Sequence, residues 1–227
     1  IPSLAADDGA PAGAPERIVF KRAAVASFLV GRGRPDMDES MDLTLSCPIG
    51  QICKDDPTIL PQAGITLTRL VDQQLRGRFN RQVAPRSEVQ DAEVELVLNS
   101  QQDTPRDMAK KLGRILKVDV AVIGTVWRYR ERGAVAGMPE SPATVAFAVY
   151  FIEVESGRML WRGLFEGTQQ TLLGNLFQAK EQFKLGLKWL TVGELAEHGV
   201  REVFQKFPPN ILPGDFTGEI QSSDPEK

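Results

Sequence analysis

The stretch from Asp119 to Tyr129 constrains this chain more than any other. Val120, Ala121, Val122 and Ile123 follow one another without a polar residue, so a strand here is apolar on both faces and needs cover on both. The stretch then turns amphipathic, as expected of a central strand whose far end emerges from its cover. Two further strand patterns follow, Thr144 to Glu155 and Arg158 to Gln170, joined by the tight turn Glu155-Ser156-Gly157-Arg158. Another strand signal lies upstream, within Ile18 to Val30, and stops at the breakers Gly31, Gly33 and Pro35.

Helices fill much of the rest. Leu67, Leu70, Val71, Leu75 and Phe79 recur at three- and four-residue spacing and predict a helix from Gln62 to Phe79. Val83 to Asn99 reads as a short strand and then a helix starting at Ser87 or Glu88. Thr104 as N-cap, Pro105 at the first helical position and Asp107 in the first turn predict a helix to about Lys117. A helix from Leu172 to about Phe183 follows the strands. The last helix starts at Thr191, with Glu194 completing a capping box and Val192, Leu195, Ala196, Val200, Val203, Phe204 and Phe207 tracing one apolar stripe. The expected class is α/β (α+β), a mixed β-sheet covered by helices. We read residues 1–16, rich in Ala, Pro, Gly and Asp, as a flexible tether, residues 17–207 as a single domain, and Pro208 to Lys227 as a loose tail.

The 227 residues are enough to build a full core without metals or many disulfides. A net charge of −3 argues against a general electrostatic grip on nucleic acid, and no nucleic-acid partner is expected. No run of eighteen apolar residues is present to span a membrane. Cys47 and Cys53 bracket a turn containing Pro48 and Gly50. They read as a candidate local disulfide, which persists only in an oxidising compartment. Free thiols are one alternative. A metal site is the other, but it would need further ligands, and the sole histidine, His198, is far away in sequence.

We find no signature of catalysis. Gly31-Arg32-Gly33-Arg34 lacks the third glycine and the following helix of a phosphate loop, and reads as a solvated loop. No Gly-x-Ser-x-Gly is present. His198 falls on the polar face of the last helix with Glu194, Arg201 and Glu202. The carboxylate pairs Asp55-Asp56 and Glu93/Glu95 carry no sign of burial. We therefore expect no catalytic residues, no metal and no cofactor. The segment Leu172 to Leu190 is more apolar than one covering helix needs. It reads as core plus a buried linker, with Phe183, Leu187 and Trp189 as candidate partner-binding residues if part of it is exposed.

Several of these motifs resemble the periplasmic α/β domain of curli-secretion channel (CsgG-like) proteins and related envelope lipoproteins. They are Val25-Ala26-Ser27-Phe28 at the first strand, Ala109 to Gly113 leading into Val118 to Val126, and the hairpin Ile152 to Trp161. In that hairpin Glu153 and Ser156 stand where the family usually has Asp and Thr. The resemblance covers about two-thirds of the chain and implies a CsgG-like periplasmic domain with C-terminal helices. Its implied role is a non-enzymatic envelope lipoprotein acting as an accessory or assembly module through contacts with other envelope proteins. Its location would be periplasmic, held at the outer membrane only by a lipid anchor ahead of Ile1. A pore does not carry over, since no long amphipathic hairpins are present. The alternatives are a soluble periplasmic binding protein or carboxylate-based hydrolase with a small-ligand or glycan site, and a subunit of a homo-oligomeric ring or filament.

Overall fold

A computed structural model describes residues 17–32, 43–133, 141–169 and 190–214. Strands β1 (Ile18–Phe20), β2 (Ala23–Val25) and β3 (Leu29–Val30) come first. The short helices α1 (Leu43–Ser46) and α2 (Ile49–Ile52) precede α3 (Ala63–Phe79), α4 (Arg86–Glu95) and α5 (Pro105–Leu116). Then come β4 (Val120–Arg130), β5 (Thr144–Glu153), β6 (Met159–Thr168), α6 (Val192–Gln205) and β7 (Ile211–Pro213).

The main sheet runs β2-β4-β5-β6, with β3 continuing beside β4 where β2 leaves off. β2 and β3 pair parallel to β4, whereas β4–β5 and β5–β6 are antiparallel. Successive residues of a strand point to opposite faces, and each face meets its own core. Val120, Val122, Val126, Val145, Phe147, Val149 and Phe151 face α3 and α6. Ala121, Ile123, Trp127, Ala146, Ala148, Tyr150 and Ile152 face α4 and α5. The result is a three-layer α/β/α sandwich. Burial of β4 follows the sequence pattern: every residue from Val120 to Trp127 is buried, and exposure begins at Arg128.

Both predicted N-caps close as capping boxes. Thr104 Oγ1 accepts from the Asp107 N–H (3.2 Å), and the Asp107 carboxylate accepts from the Thr104 N–H (3.0 Å). Thr191 and Glu194 repeat the arrangement. The α5 helix ends one residue before Lys117, whose φ of 52° stops it. Gly113, inside α5, does not end a turn. A Cβ there would stand 2.2 Å from a methyl of Val154, so the glycine lets helix and strand touch. Gly124 does the same in β4, directly under the ring of Phe28. Gly157 has φ 76° and sits in the β5–β6 turn, a conformation glycine adopts without steric cost.

Three features depart from the sequence reading. The strand expected through Ala23–Val30 is split, because Ala26-Ser27-Phe28 leaves the ladder between β2 and β3. Val83 makes only an isolated bridge to Ala23, and the helix begins at Arg86 directly after Pro85, whose fixed backbone suits a helix entry. The region after Pro208 also adds a strand: Ile211–Pro213 pairs parallel with Ile18–Phe20 in a separate two-stranded ribbon. Asp119 anchors the corner where β1 passes into β2, its carboxylate accepting from the N–H groups of Lys21 (2.6 Å) and Arg22 (2.9 Å).

Gly124→Ala forces a Cβ into the Phe28 ring, and such overpacking costs about 1–3 kcal/mol. The urea midpoint should fall accordingly. An unchanged midpoint would show that Phe28 moves aside freely.

Candidate functional site

A sheet flanked by helices leaves its two edges as the places where backbone hydrogen-bonding groups lack a strand partner. In this protein the two edges are treated differently. At the β2–β3 edge, side chains from the flanking helices take the free groups. Arg86 on α4 donates to the Val25 carbonyl (2.8 Å). Glu93, one α4 turn pair further on, accepts from the Ser27 N–H (2.6 Å) and the Ser27 hydroxyl (2.8 Å). Arg86 also reaches Ser27 Oγ (2.6 Å) and Glu93 (3.0 Å), closing the set. Thr68 on α3 accepts from the Phe28 N–H (3.0 Å) and donates to the Gly64 carbonyl (2.7 Å). A groove of about 480 Å3 lies outside this capped edge, lined by Phe28, Val30, Ile65, Arg69, Arg86 and Gln90 among others.

At the β6 edge no such capping of Arg162 or Leu164 appears among the described residues. The Gln169 N–H bonds to the Ala143 carbonyl (3.0 Å), which fixes the hydrogen-bonded phase of the β5–β6 ladder. Counting back in twos, the N–H and C=O groups of Arg162 and Leu164 point away from β5. No hydrogen bond to them arises from the described residues. The ladder shifts register between Phe151 and Ile152, which bulges Leu160 and leaves Trp161–Thr168 regular. On the α6 side Trp161 packs against Phe151, Phe204 and Phe207, with ring centroids 5.4, 5.7 and 4.8 Å away, so it is a partly buried residue lying against the core. On the other side stand Arg162, Leu164 and Glu166; the Trp127 indole N–H donates to Glu166 (3.3 Å).

The residues singled out in the sequence are dispersed. Cys47 and Cys53 are free, half-buried thiols at the two ends of α2, and burial pushes the Cys53 thiol above its ordinary range. Phe183, Leu187 and Trp189 lie outside the described residues. Arg32 approaches Asp56 at 4.0 Å and donates its backbone N–H to the Lys54 carbonyl (2.9 Å). His198 is 3.8 Å from Glu202 and lies against the edge of Phe165, so it is less fully solvated than expected. The carboxyls of Asp56, Asp103 and Glu153 are all held below the usual range, chiefly by hydrogen bonds from Thr58, Lys111 and Ser156 respectively. Tyr150 is fully buried, which pushes its pKa up and disfavours ionisation; Thr44 and Thr125 lie near its hydroxyl but outside hydrogen-bonding geometry. Among the described residues no group of three or more His, Cys, Asp or Glu gathers to hold a metal. Sequence reasoning named Glu93 only as a carboxylate and missed Arg86, Arg162, Leu164 and Glu166. The strict alternation of Arg162, Leu164 and Glu166 with Gly163, Phe165 and Gly167 was the available signal.

No protein-family model matches the chain, and no curated protein does. Solved structures similar to it include a PelC dodecamer from Paraburkholderia phytofirmans, with 14% identity over 85% of this chain and 92% of that one and a TM-score of 0.41. Lipoprotein GNA1162 from Neisseria meningitidis shows 16% identity over 70% of this chain and 94% of that one, at a TM-score of 0.40. The LpoB C-terminal domain from Salmonella enterica shows 13% identity over 71% and 87%, at 0.38. These are different proteins from the curli-secretion channels, and the CsgG-like resemblance is corrected accordingly. The motifs that suggested it serve packing and turn geometry: Gly113 seats α5 on Val154, and Gly157 makes the hairpin turn. Neither requirement belongs to one family.

Glu93→Ala removes the acceptor for two Ser27 donors and the partner of Arg86. Leaving part-buried donors unpaired should lower stability by about 1–3 kcal/mol in urea unfolding. Arg162→Ala, on the other edge, should stay within about 0.5 kcal/mol of the parent. Equal effects would mean that the two edges are not distinguished as described.

Proposed function

We propose that this protein is a non-enzymatic assembly module of the bacterial envelope, working on the periplasmic side through protein–protein contacts made at the β6 edge. The observation that carries this reading is the asymmetry of the sheet. One edge is capped by Arg86, Glu93 and Thr68, while on the other no side chain among the described residues caps the outward groups of Arg162 and Leu164. An open edge is a template for strand addition, in which main-chain hydrogen bonds supply affinity and alternate side chains supply selectivity. The envelope assignment draws support from the tether-like composition of residues 1–16, which would follow a lipid anchor, and from the Cys47/Cys53 pair.

We also propose that Cys47 and Cys53 join in an oxidising compartment. Both flank the single turn α2, whose Cys53 N–H bonds back to the Ile49 carbonyl (2.8 Å), so a bridge would brace that turn. Phe183, Leu187 and Trp189 remain candidate partner contacts. Replacing Phe183 and Trp189 with Ser should leave the fold intact and weaken partner binding; loss of folding would assign them to the core.

A photo-crosslinking residue in place of Arg162 should give discrete protein adducts in intact cells, and the same probe in place of Gln90, beside the capped edge, should give none. Adducts of equal yield at both positions, or none at Arg162, would overturn the edge reading. Protein isolated from the periplasm should gain the mass of two hydrogens on reduction, and Cys47→Ser should abolish that gain. No change on reduction would remove the disulfide.

A further inference from the structure

We infer that the groove between α3 and α6 is a docking site for an acidic peptide segment of a partner protein. It is a second surface, on the α3 side of α6, and does not rest on the edge reading above. The groove encloses about 600 Å3 and is lined by Gln74, Gly77 and Arg78 on α3 and by Arg201, Phe204 and Gln205 on α6. No carboxylate lines it, so it is positive on a chain whose net charge is −3. Three other arginines of this protein hold carboxylates: Arg22 holds Glu88, Arg76 holds Asp72 and Arg86 holds Glu93. Among the described residues neither Arg78 nor Arg201 makes an ion pair, and the side-chain amides of Gln74 and Gln205 make no hydrogen bond. Glu202, next to Arg201 in sequence, pairs with Lys206 instead (2.9 Å).

Helical spacing shapes the groove. Gln74 and Arg78 stand four residues apart on α3, as do Arg201 and Gln205 on α6, so each pair forms a ridge along one helix face. Between the ridges Gly77 leaves space, since a Cβ there would meet nothing within 4 Å, and the buried Phe204 provides an apolar floor. Arg78 is already in place: its guanidinium lies 5.0 Å over the Phe207 ring and donates to the Phe204 carbonyl (3.3 Å). That bond uses one N–H, and the others remain to donate. A planar guanidinium held in advance loses little freedom on gripping a carboxylate. Two guanidiniums and two amides, with no negative charge among them, favour an acidic ligand over a neutral or basic one. The volume far exceeds one carboxylate and the donors stand on separate ridges. The ligand that fills the groove therefore carries carboxylates at more than one point along a backbone, whose own amides can bond Gln74 and Gln205.

Fluorescence anisotropy of a labelled, end-blocked hexaglutamate peptide with the full chain tests this. The peptide should bind, and bind less tightly as salt rises from about 20 to about 200 mM. Arg201→Glu should weaken binding by roughly tenfold or more, whereas Arg114→Glu, the same charge change on an exposed arginine of α5, should alter it by less than about twofold. Gly77→Leu should weaken it too, by filling the groove, while raising the urea midpoint, because glycine is a poor helix former at an exposed position. That variant separates lost binding from lost folding. No binding at about 1 mM peptide, or binding indifferent to both Arg201→Glu and Gly77→Leu, would overturn the inference. Glutarate competing as well as the peptide would make this a site for a small dicarboxylate and overturn the peptide assignment. Combining Asp215→Asn, Glu219→Gln, Asp224→Asn and Glu226→Gln should leave the affinity unchanged. A gain of about tenfold there would put this chain's own acidic residues in the groove and overturn the partner assignment. A dimer that hexaglutamate dissociates would overturn it in favour of a second copy.

Discussion

Every strand of the main sheet hangs from β4. Its two sides pair with β2 and β3 in parallel and with β5 antiparallel, and both its faces are buried from Val120 to Trp127. A strand buried on both faces must be apolar on both, and it must leave room where neighbours come closest. Gly124 supplies that room, with the Phe28 ring lying where a side chain would be. The same ring marks the point at which the first strand breaks and Ser27 and Phe28 turn their N–H groups toward Glu93 and Thr68. Close packing on β4 and the capping of the sheet edge are therefore two results of one local geometry.

Linkage between the layers follows the same plan. Arg22 joins β2 to both helices of one layer, donating to the Leu116 carbonyl (3.0 Å) and pairing with Glu88. Arg76 ties α3 across the sheet end, bonding Asp72 and the carbonyls of Val83 and Ala84. These bonds are part-buried and each meets a backbone carbonyl as well as a carboxylate. They fix where a helix sits along the sheet, a task the apolar contacts alone leave open, because hydrophobic burial has no direction.

Much of this was legible in the sequence. The periodicity of α3, the capping boxes of α5 and α6, and the two-sided apolar run of β4 each rest on local rules, and the structure follows them. What escaped depends on residues far apart in sequence. The break at Ala26–Phe28 is set by Thr68, 40 positions from Phe28, and Glu93, 66 positions from Ser27, and no window around Phe28 contains either. Strand β7 is only three residues long and gains its partner from the other end of the domain. The edge residues of β6 looked like an ordinary amphipathic strand, since nothing local says which strand will be outermost. The family resemblance failed for a related reason: its motifs report close packing and turn geometry, which many sheets share.

The ribbon formed by β1 and β7 brings Ile18 beside Ile211 and Phe20 beside Pro213. The two ends of the described domain are therefore neighbours, held by a ladder that packs on the α3–α6 core through Ile18, Phe20 and Ile211. In topological terms the described domain is nearly a closed ring. Joining its ends by a short linker and opening it at the β5–β6 turn would keep every strand pairing in place, so the order in which the elements are synthesised is separable from the way they pack.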